Sequence, residues 1–282
     1  MSIQQIAVIG AGTMGRGIAE TAAVSGLQVA IVEVNARQRE IATAAMQTSV
    51  AKSIQKGKIA AKTPEEVLQR ITWHEDLTAA GTADYVIEAV PEEESLKRKV
   101  LVDLDGICRP ETILATNTSS ISVTRLAMAT KRPDAVVGLH FFNPVPIMPP
   151  VEIVRGLATS DETITVTKAL AERMGKQALV VTDSPGFVVN RILMPLINEA
   201  AFTLQEGVAD AATIDSLMKL GCNHPMGPLQ LADFIGIDVV LSILHVLHRE
   251  FGDPKFRPCP LIARLVDAGR LGKKTGSGFH TY

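Results

Sequence analysis

Apolar runs alternate with helix-periodic stretches along the first two thirds of the chain. A buried strand is predicted over residues 3–9, followed by a glycine-rich turn, a helix of small residues and a second strand, LQVAIV, that ends at Glu33. This unit implies a right-handed crossover and a parallel strand pair. Further strands are predicted at YVIEAV, TILAT, AVVGLH, VEIV and ALVV. The alternation predicts an α/β domain with a sheet covered on both faces.

The pattern changes after about Asp183. From SPGFVVNR onwards, apolar residues recur at helical spacing without strand-like runs. We therefore predict two domains, a Rossmann-type α/β domain over residues 1–184 and an all-helical domain over residues 185–282. The stretch LADFIGIDVVLSILHVLH is interrupted by Asp233, Asp238 and His245, which predicts a buried helix and not a membrane span.

Composition narrows the class of protein. The chain has 282 residues, 46% hydrophobic and 21% charged, with a net charge of -2, which argues against nucleic acid or a membrane as partner. Cys108, Cys222 and Cys259 are odd in number and lack C-x-x-C spacing, as expected in a reducing compartment without disulfides or a metal site. Because the chain opens on strand-like sequence with no leader pattern, we expect a cytoplasmic protein.

The turn after the first strand has the pattern G-x-G-x-x-G. Gly10 permits a tight turn, Gly12 lets a pyrophosphate approach the backbone, and Gly15 allows close packing of helix on strand. The helix N-terminus then faces the anion. Glu33 can accept hydrogen bonds from ribose hydroxyls and would repel a 2′-phosphate, which favours NAD over NADP. The alternative is an accidental glycine turn in a sheet protein.

A long polar helix is predicted from about Ala36 to Lys56. Ser49, Lys52 and Lys56 lie at i, i+3 and i+7 and share one face, with more lysines just beyond. Charge alone favours a solvated basic face. The alternative is a site for a phosphorylated part of a substrate.

Polar residues follow the strand TILAT. Asn117 stands at its expected carboxyl end, where ligands bind in open α/β sheets. The serines that follow can donate to a substrate oxygen or cap a helix. Both interpretations stay open, because Ser120 or Ser122 can cap while Ser119 points into a cleft.

A histidine and a glutamate lie on two strands that flank a proline-punctuated loop. His140 ends AVVGLH, and Glu152 lies in PVEIV. A tight excursion between the strands would return Glu152 to the side of His140, where a carboxylate fixes the imidazole tautomer and favours its protonated form. A lone histidine at a strand end is more often structural, but its place on the edge of the dinucleotide site favours a general base.

Together, GAGTMGRGIA, EAVPEEESLK, NTSS, GLHFFNPVP, DSPGFVVNR, MGPLQLADFIGID and GKKTGSGF resemble the L-3-hydroxyacyl-CoA dehydrogenase family, especially its bacterial 3-hydroxybutyryl-CoA type. The motifs stand in family order along the whole chain. The resemblance implies reversible NAD-linked oxidation of an L-3-hydroxyacyl-CoA to a 3-ketoacyl-CoA, a step of fatty acid metabolism. It also implies a homodimer formed through the helical domain.

The resemblance assigns residue roles. His140 would be the base and Glu152 its orienting partner, while Ser119 and Asn190 would hydrogen-bond the C3 oxygen, with Asn190 at the junction of the two domains. Coenzyme A would contact Ser49, Lys52, Lys56 and Ser119. The positions that would line NAD are Gly10, Gly12, Thr13, Met14, Gly15, Glu33, Glu92, Lys97, Asn117, Ser119, Asn143 and Lys274.

One departure from the family pattern concerns the loop. Members usually read VMKLVE where this chain has IMPPVE, so Pro149 replaces a lysine and Pro150 an aliphatic residue. The alternatives are a crystallin-like or gulonate-oxidising relative of the same superfamily, and other β-hydroxyacid dehydrogenases. The basic helix face favours coenzyme A over a small free acid, and the last group uses a lysine base in place of this histidine.

Overall fold

The computed structural model describes residues 3–282. The chain divides into two compact units, Met1–Asp183 and Ser184–Tyr282. An eight-stranded sheet forms the centre of the first unit. Its strands are β1 (Gln5–Ile9), β2 (Gln28–Val32), β3 (Ile71–His74), β4 (Tyr85–Glu88), β5 (Ile113–Thr116), β6 (Val136–Phe141), β7 (Pro150–Arg155) and β8 (Gln177–Thr182).

The strand order is β3-β2-β1-β4-β5-β6-β7-β8. Neighbouring strands are parallel except β6 and β7, which pair antiparallel. The chain continues from β1 to β2 and β3 on one side of β1 and then returns to β4 on its other side. Such a reversal of strand order opens a crevice at the carboxyl ends of the strands. The predicted Rossmann-type α/β domain is thereby confirmed.

Alternate residues of each central strand enter different cores, because side chains of a strand point to opposite faces. Ile6 and Val8 belong to one core, and Ala7 and Ile9 to the other. Helices α1, α2 and α6 contribute to the first core, and α4 and α5 to the second. The helices of this unit are α1 (Thr13–Val24), α2 (Ala36–Gln55), α3 (Pro64–Leu68), α4 (Glu94–Ile107), α5 (Val123–Ala127) and α6 (Asp161–Arg173).

The second unit is helical, as predicted. Residues such as Met194, Leu229 and Leu244 from three different helices pack into one core. The helices are α7 (Val189–Gln205), α8 (Ala211–Cys222), α9 (Pro228–Ile235), α10 (Ile237–Phe251) and α11 (Pro260–Asp267). Within residues 3–282, no single helix is long and apolar enough to span a membrane, although α9 and α10 together reach that length and composition across a bend of 99°.

Local side chains set several helix starts. An N-cap side chain accepts a hydrogen bond from a first-turn N–H group at α2, α5, α6 and α8, which satisfies a donor that has no partner inside the helix. These caps are Asn35, Ser122, Ser160 and Asp210. Of the two serines considered as caps for α5, Ser122 is the one that caps it.

Candidate active site

The glycine-rich turn joins β1 to α1. Gly10 has a φ of +96°, and a Cβ atom there would stand 2.9 Å from the carbonyl oxygen of Ala89. A Cβ atom at Gly15 would stand 1.9 Å from the carbonyl oxygen of Gly10, so the helix can pack here only without a side chain. At Gly12, no atom lies within 4 Å of the Cβ position. Gly10 and Gly15 are thus required by close contacts within the protein, while Gly12 faces open space.

The open space at Gly12 fits a dinucleotide. Gly12 is the N-cap of α1, without a side-chain cap, and Thr13 and Met14 are the first helical residues. Their N–H groups and the positive end of the helix are suited to bind a pyrophosphate. A side chain at Gly12 would fill part of this open space.

Glu33, just after β2, holds the glycine-rich turn through its carboxylate. Its Oε2 accepts a hydrogen bond from the Ala11 N–H at 3.0 Å, and its Oε1 accepts from the Asn35 N–H at 2.9 Å. The carboxylate therefore stands beside the glycine-rich turn, and its selection of NAD over NADP stays a prediction.

Glu92 holds the polar segment that follows β5. Its Oε1 accepts hydrogen bonds from the Thr118 hydroxyl at 2.6 Å, the Ser119 N–H at 2.8 Å and the Ser120 N–H at 3.2 Å. The Ser119 hydroxyl lies 3.2 Å from the same oxygen. One carboxylate thus determines the conformation of the segment that carries Ser119.

Lys97, expected to line the cofactor, is instead enclosed by protein. Its side chain and that of Glu88 are both 0% exposed, and Nζ lies 2.9 Å from Oε1 of Glu88. Nζ also donates to the carbonyl oxygens of Val90 and Asn117, each at 3.2 Å, and lies 3.5 Å from Glu92. The ammonium therefore holds the Glu92 carboxylate and the Asn117 carbonyl oxygen, and the role of Lys97 in lining NAD stays a prediction.

Glu88, which the sequence did not bring to attention, completes this network. Burial raises its pKa, while the charge of Lys97 and the hydrogen bonds from Thr116, Lys97 and Val90 act in the opposite direction. A glutamate inside the apolar run YVIEAV is the signal in the sequence that could have identified it.

Asn117 links this network to the next strand. Its Oδ1 accepts a hydrogen bond at 3.1 Å from the N–H of Phe141, the residue after His140. Its own carbonyl oxygen accepts from Lys97. The end of β6 is therefore held by contacts that begin in the buried ion pair.

His140 and Glu152 face each other across the antiparallel strands. They are register partners in β6 and β7, and Nδ1 of His140 lies 2.7 Å from Oε2 of Glu152. Their side chains are only 8% and 4% exposed. The ring of Phe142 lies against the imidazole, with 4.7 Å between ring centroids. The predicted return of the chain is thus confirmed, and the pair is oriented by the sheet itself.

The proline-rich loop between these strands is fastened by Lys176. This lysine is buried, and its ammonium donates to the carbonyl oxygens of Val145 and, at 2.9 Å, Met148. Burial lowers its pKa. The Asn143–Pro144 peptide bond in this loop is cis. Nothing in the sequence distinguishes Lys176 from the surface lysines.

The predicted basic face lies on α2, which ends one residue before Lys56. Ser49 does not simply face solvent, because its hydroxyl donates to Oε1 of Glu20 in α1 at 2.6 Å. Glu20 is buried, and burial raises its pKa to about 7, opposed by Ser49 and Arg16. Glu20 was not singled out in the sequence, where it lies in a helix of small residues.

Two predicted site residues belong to the second unit. Asn190 is a buried residue of α7. Lys274 lies beside α10, with Nζ 2.6 Å from Oδ1 of Asp238. The roles that the resemblance assigns to them stay predictions.

Comparison with known proteins places this geometry in context. The family model "3-hydroxyacyl-CoA dehydrogenase, NAD binding domain" matches residues 5–184, and "3-hydroxyacyl-CoA dehydrogenase, C-terminal domain" matches residues 186–282. A probable 3-hydroxybutyryl-CoA dehydrogenase of Bacillus subtilis is 52% identical over 282 residues, which covers 100% of this chain and 98% of that protein. The 3-hydroxybutyryl-CoA dehydrogenase of Bradyrhizobium diazoefficiens is 48% identical and covers 99% and 96%. The crystal structure of (S)-3-hydroxybutyryl-CoA dehydrogenase from Ralstonia eutropha matches with a TM-score of 0.95 at 48% identity, covering 100% of this chain and 99% of that one.

Proposed function

The chain belongs to the 3-hydroxyacyl-CoA dehydrogenase family and is an NAD-dependent oxidoreductase, and we propose that it interconverts short-chain L-3-hydroxyacyl-CoA and 3-ketoacyl-CoA with His140 as general base. The preference for a four-carbon chain is supported by relatives named 3-hydroxybutyryl-CoA dehydrogenase that match nearly the full chain. The observation that carries the mechanism is the buried 2.7 Å contact between His140 and Glu152.

The glycine-rich turn and Glu33 would hold NAD, which when bound supplies the hydride acceptor of the oxidation. The protein must move the proton. An ionised carboxylate only accepts hydrogen bonds, so Glu152 selects the tautomer of His140 that carries its proton on Nδ1. Nε2 then has the lone pair that accepts the hydroxyl proton during oxidation, and it returns this proton during reduction. Glu152 stabilises the imidazolium formed in between.

Ser119 is proposed to hydrogen-bond the C3 oxygen of the substrate. Glu92 accepts from the Ser119 N–H at 2.8 Å, which supports a fixed position of this residue. The Ser119 hydroxyl donates to the same oxygen at 3.2 Å and would turn from Glu92 to the substrate oxygen when substrate binds. The basic face of α2, with Ser49, Lys52 and Lys56, is proposed to contact coenzyme A.

The test is oxidation of NADH with acetoacetyl-CoA, followed by absorbance. We expect His140→Gln to lower kcat by about 100- to 10,000-fold with KM for acetoacetyl-CoA nearly unchanged, since a positioned acid/base contributes that much. Glu152→Gln should also lower kcat. The matched control is His74→Gln, because His74 lies in β3 and its ring contacts Thr72 of the same strand.

Near-wild-type turnover of His140→Gln would contradict the assigned base. Assays of gulonate with NAD and of acetoacetyl-CoA with NADPH run alongside. Activity on gulonate without activity on acetoacetyl-CoA would favour the rival function, and comparable rates with NADPH would contradict the argument from Glu33.

We also propose a cytoplasmic homodimer formed through the second unit. Cys108, Cys222 and Cys259 are free thiols, which supports a reducing compartment. Leu217 and Leu220 of α8 are 62% and 86% exposed, which supports a covered surface there. Light scattering of the full chain tests the dimer, and a monomeric mass would contradict it.

A further inference from the structure

Glu20 is a buried acid that the proposed mechanism does not use. It lies in α1, is 4% exposed, and accepts a hydrogen bond from the Ser49 hydroxyl in α2 at 2.6 Å. Burial raises the pKa of Glu20 to about 7, while Ser49 and the charge of Arg16 lower it. The carboxyl group therefore changes its charge within the neutral pH range.

This contact conflicts with phosphate binding by Ser49. A hydroxyl has one hydrogen to donate, and an ionised Glu20 takes it. A phosphate offers only acceptors, so it needs a donor that Ser49 has already committed. Two anions close to one serine would also repel each other.

We propose that Glu20 is a positioning residue for coenzyme A: in its protonated form it donates to the Ser49 hydroxyl oxygen and turns the Ser49 hydrogen towards a phosphate group of the substrate. Binding of acyl-CoA then takes up a proton at Glu20. This inference rests on the proposed function, specifically on coenzyme A contacting the basic face of α2.

The charges around Glu20 favour this coupling. Arg16 lies one turn earlier in α1, Lys52 lies on the face of α2 that carries Ser49, and Lys56 follows directly after the end of α2. Before binding, the charge of Arg16 favours the ionised carboxylate. A phosphate bound next to Ser49 adds a negative charge close to Glu20, which raises the pKa of Glu20.

Other elements packed against α1 add little to this balance. At the end of α3, Arg70 donates to the carbonyl oxygens of Glu66 and Ala23, while the Glu66 carboxylate accepts from the N–H of Lys62. Strands β1 and β2 carry no charged residue, and neither do Val145 and Pro146, which approach α1 at Gly17.

The expected change in KM with pH follows from the fraction of Glu20 that is protonated. With a pKa of about 7, Glu20 is mostly protonated at pH 6 and about one part in eleven protonated at pH 8. Since apparent affinity falls with the fraction of binding-competent protein, KM for acetoacetyl-CoA should rise about tenfold from pH 6 to pH 8. In Glu20→Gln, the amide can donate to Ser49 at every pH, so KM should stay near its low-pH value with kcat unchanged.

The experiment measures KM and kcat at pH 6, 7 and 8 with saturating NADH, for wild type, Glu20→Gln and the control Glu65→Gln, which neutralises an exposed acid of α3. S-acetoacetylpantetheine serves as a second substrate because it lacks the phosphates. With acetoacetyl-CoA, we expect KM to rise from pH 6 to pH 8 for wild type and for Glu65→Gln. With S-acetoacetylpantetheine, we expect no comparable rise.

Equal pH dependence of KM in wild type and Glu20→Gln would overturn the inference, as would the same rise with S-acetoacetylpantetheine. If the wild type did not oxidise NADH with acetoacetyl-CoA at any pH, the proposed function itself would be contradicted. A second measurement needs no variant: calorimetric titration of wild type with coenzyme A at pH 8, in buffers of different ionisation enthalpy, should show uptake of close to one proton. Binding without proton uptake would overturn the inference.

Discussion

Replacing Lys97 by methionine removes the cation of a fully buried ion pair at the end of β4. The partner, Glu88, has no exposed side-chain area, and it would keep only the Thr116 hydroxyl at 2.5 Å and the Val90 N–H at 2.7 Å. The carbonyl oxygens of Val90 and Asn117 would lose a donor as well. The substitution therefore leaves one buried acid and two buried acceptors with fewer partners.

The loss in the free energy of unfolding can be estimated from these contacts. Breaking a buried pair by removing one partner destabilises a protein by about 3–5 kcal/mol. Because Lys97 also satisfies two carbonyl oxygens, we expect a loss in the free energy of unfolding in the upper part of that range at pH 8. The double variant Glu88→Gln/Lys97→Met should recover at least about 2 kcal/mol, since it removes the uncompensated charge.

The deficit of Lys97→Met should depend on pH. Burial already raises the pKa of Glu88, and loss of the lysine raises it further. The folded state then keeps a proton that the unfolded state releases as pH rises above about 4.5, so the variant loses stability with increasing pH. The deficit should be larger at pH 8 than at pH 5.5.

The assay is urea unfolding followed by tryptophan fluorescence at both pH values. The chain has 1 tryptophan, Trp73 of β3, so the signal reports on the first unit. A deficit below about 1 kcal/mol at pH 8, or one that does not change with pH, would refute the reasoning from burial.

The two substitutions Gly12→Ala and Gly15→Ala should differ in kind. At Gly12 the added methyl group meets open space, so Gly12→Ala should keep its thermal unfolding temperature and lose NADH binding. At Gly15 the methyl group would stand 1.9 Å from the carbonyl oxygen of Gly10, so Gly15→Ala should lower the unfolding temperature itself. Equal effects of both substitutions on the unfolding temperature would be inconsistent with these contacts. Glu92→Ala removes the acceptor shared by Thr118, Ser119 and Ser120. Since hydrogen bonds to a charged group contribute about 1.5–3 kcal/mol to stability, the unfolding temperature should fall, and kcat/KM should fall as well because the segment that carries Ser119 loses its fixed conformation. Unchanged kcat/KM would show that Glu92 does not orient the segment.

Apolar runs predict every strand of the first unit except β3. The missed strand, ITWH, lies at an edge of the sheet and is only partly buried. A strand in that position does not need the continuous apolar run that marks the central strands. The strands that form the site are all central, which is why the carboxyl ends of the strands near His140 could be predicted.

The buried ion pairs could not be predicted in the same way. Lys97 stands in the charged stretch EEESLKRK, where Arg98 and Lys99 follow directly. Only the packing of α4 against the sheet determines that Lys97 turns inward to Glu88, while its two neighbours stay exposed. Glu20 is a similar case, because its contact with Ser49 joins helices whose packing the local pattern does not specify.

The two prolines that depart from the family pattern leave the His140–Glu152 pair undisturbed for a physical reason. Pro150 is the first residue of β7, a position where a strand tolerates proline, and Pro149 takes part in pairing through its carbonyl oxygen, which accepts from the Gln177 N–H at 2.8 Å. The N–H groups that proline lacks are therefore not missed at this end of the strand. The preceding loop is held independently, by the ammonium of Lys176 on its carbonyl oxygens. Any difference in acyl-chain preference caused by the prolines must then arise from the shape of the loop surface, where Ile147 is 65% exposed, and not from the orientation of the base.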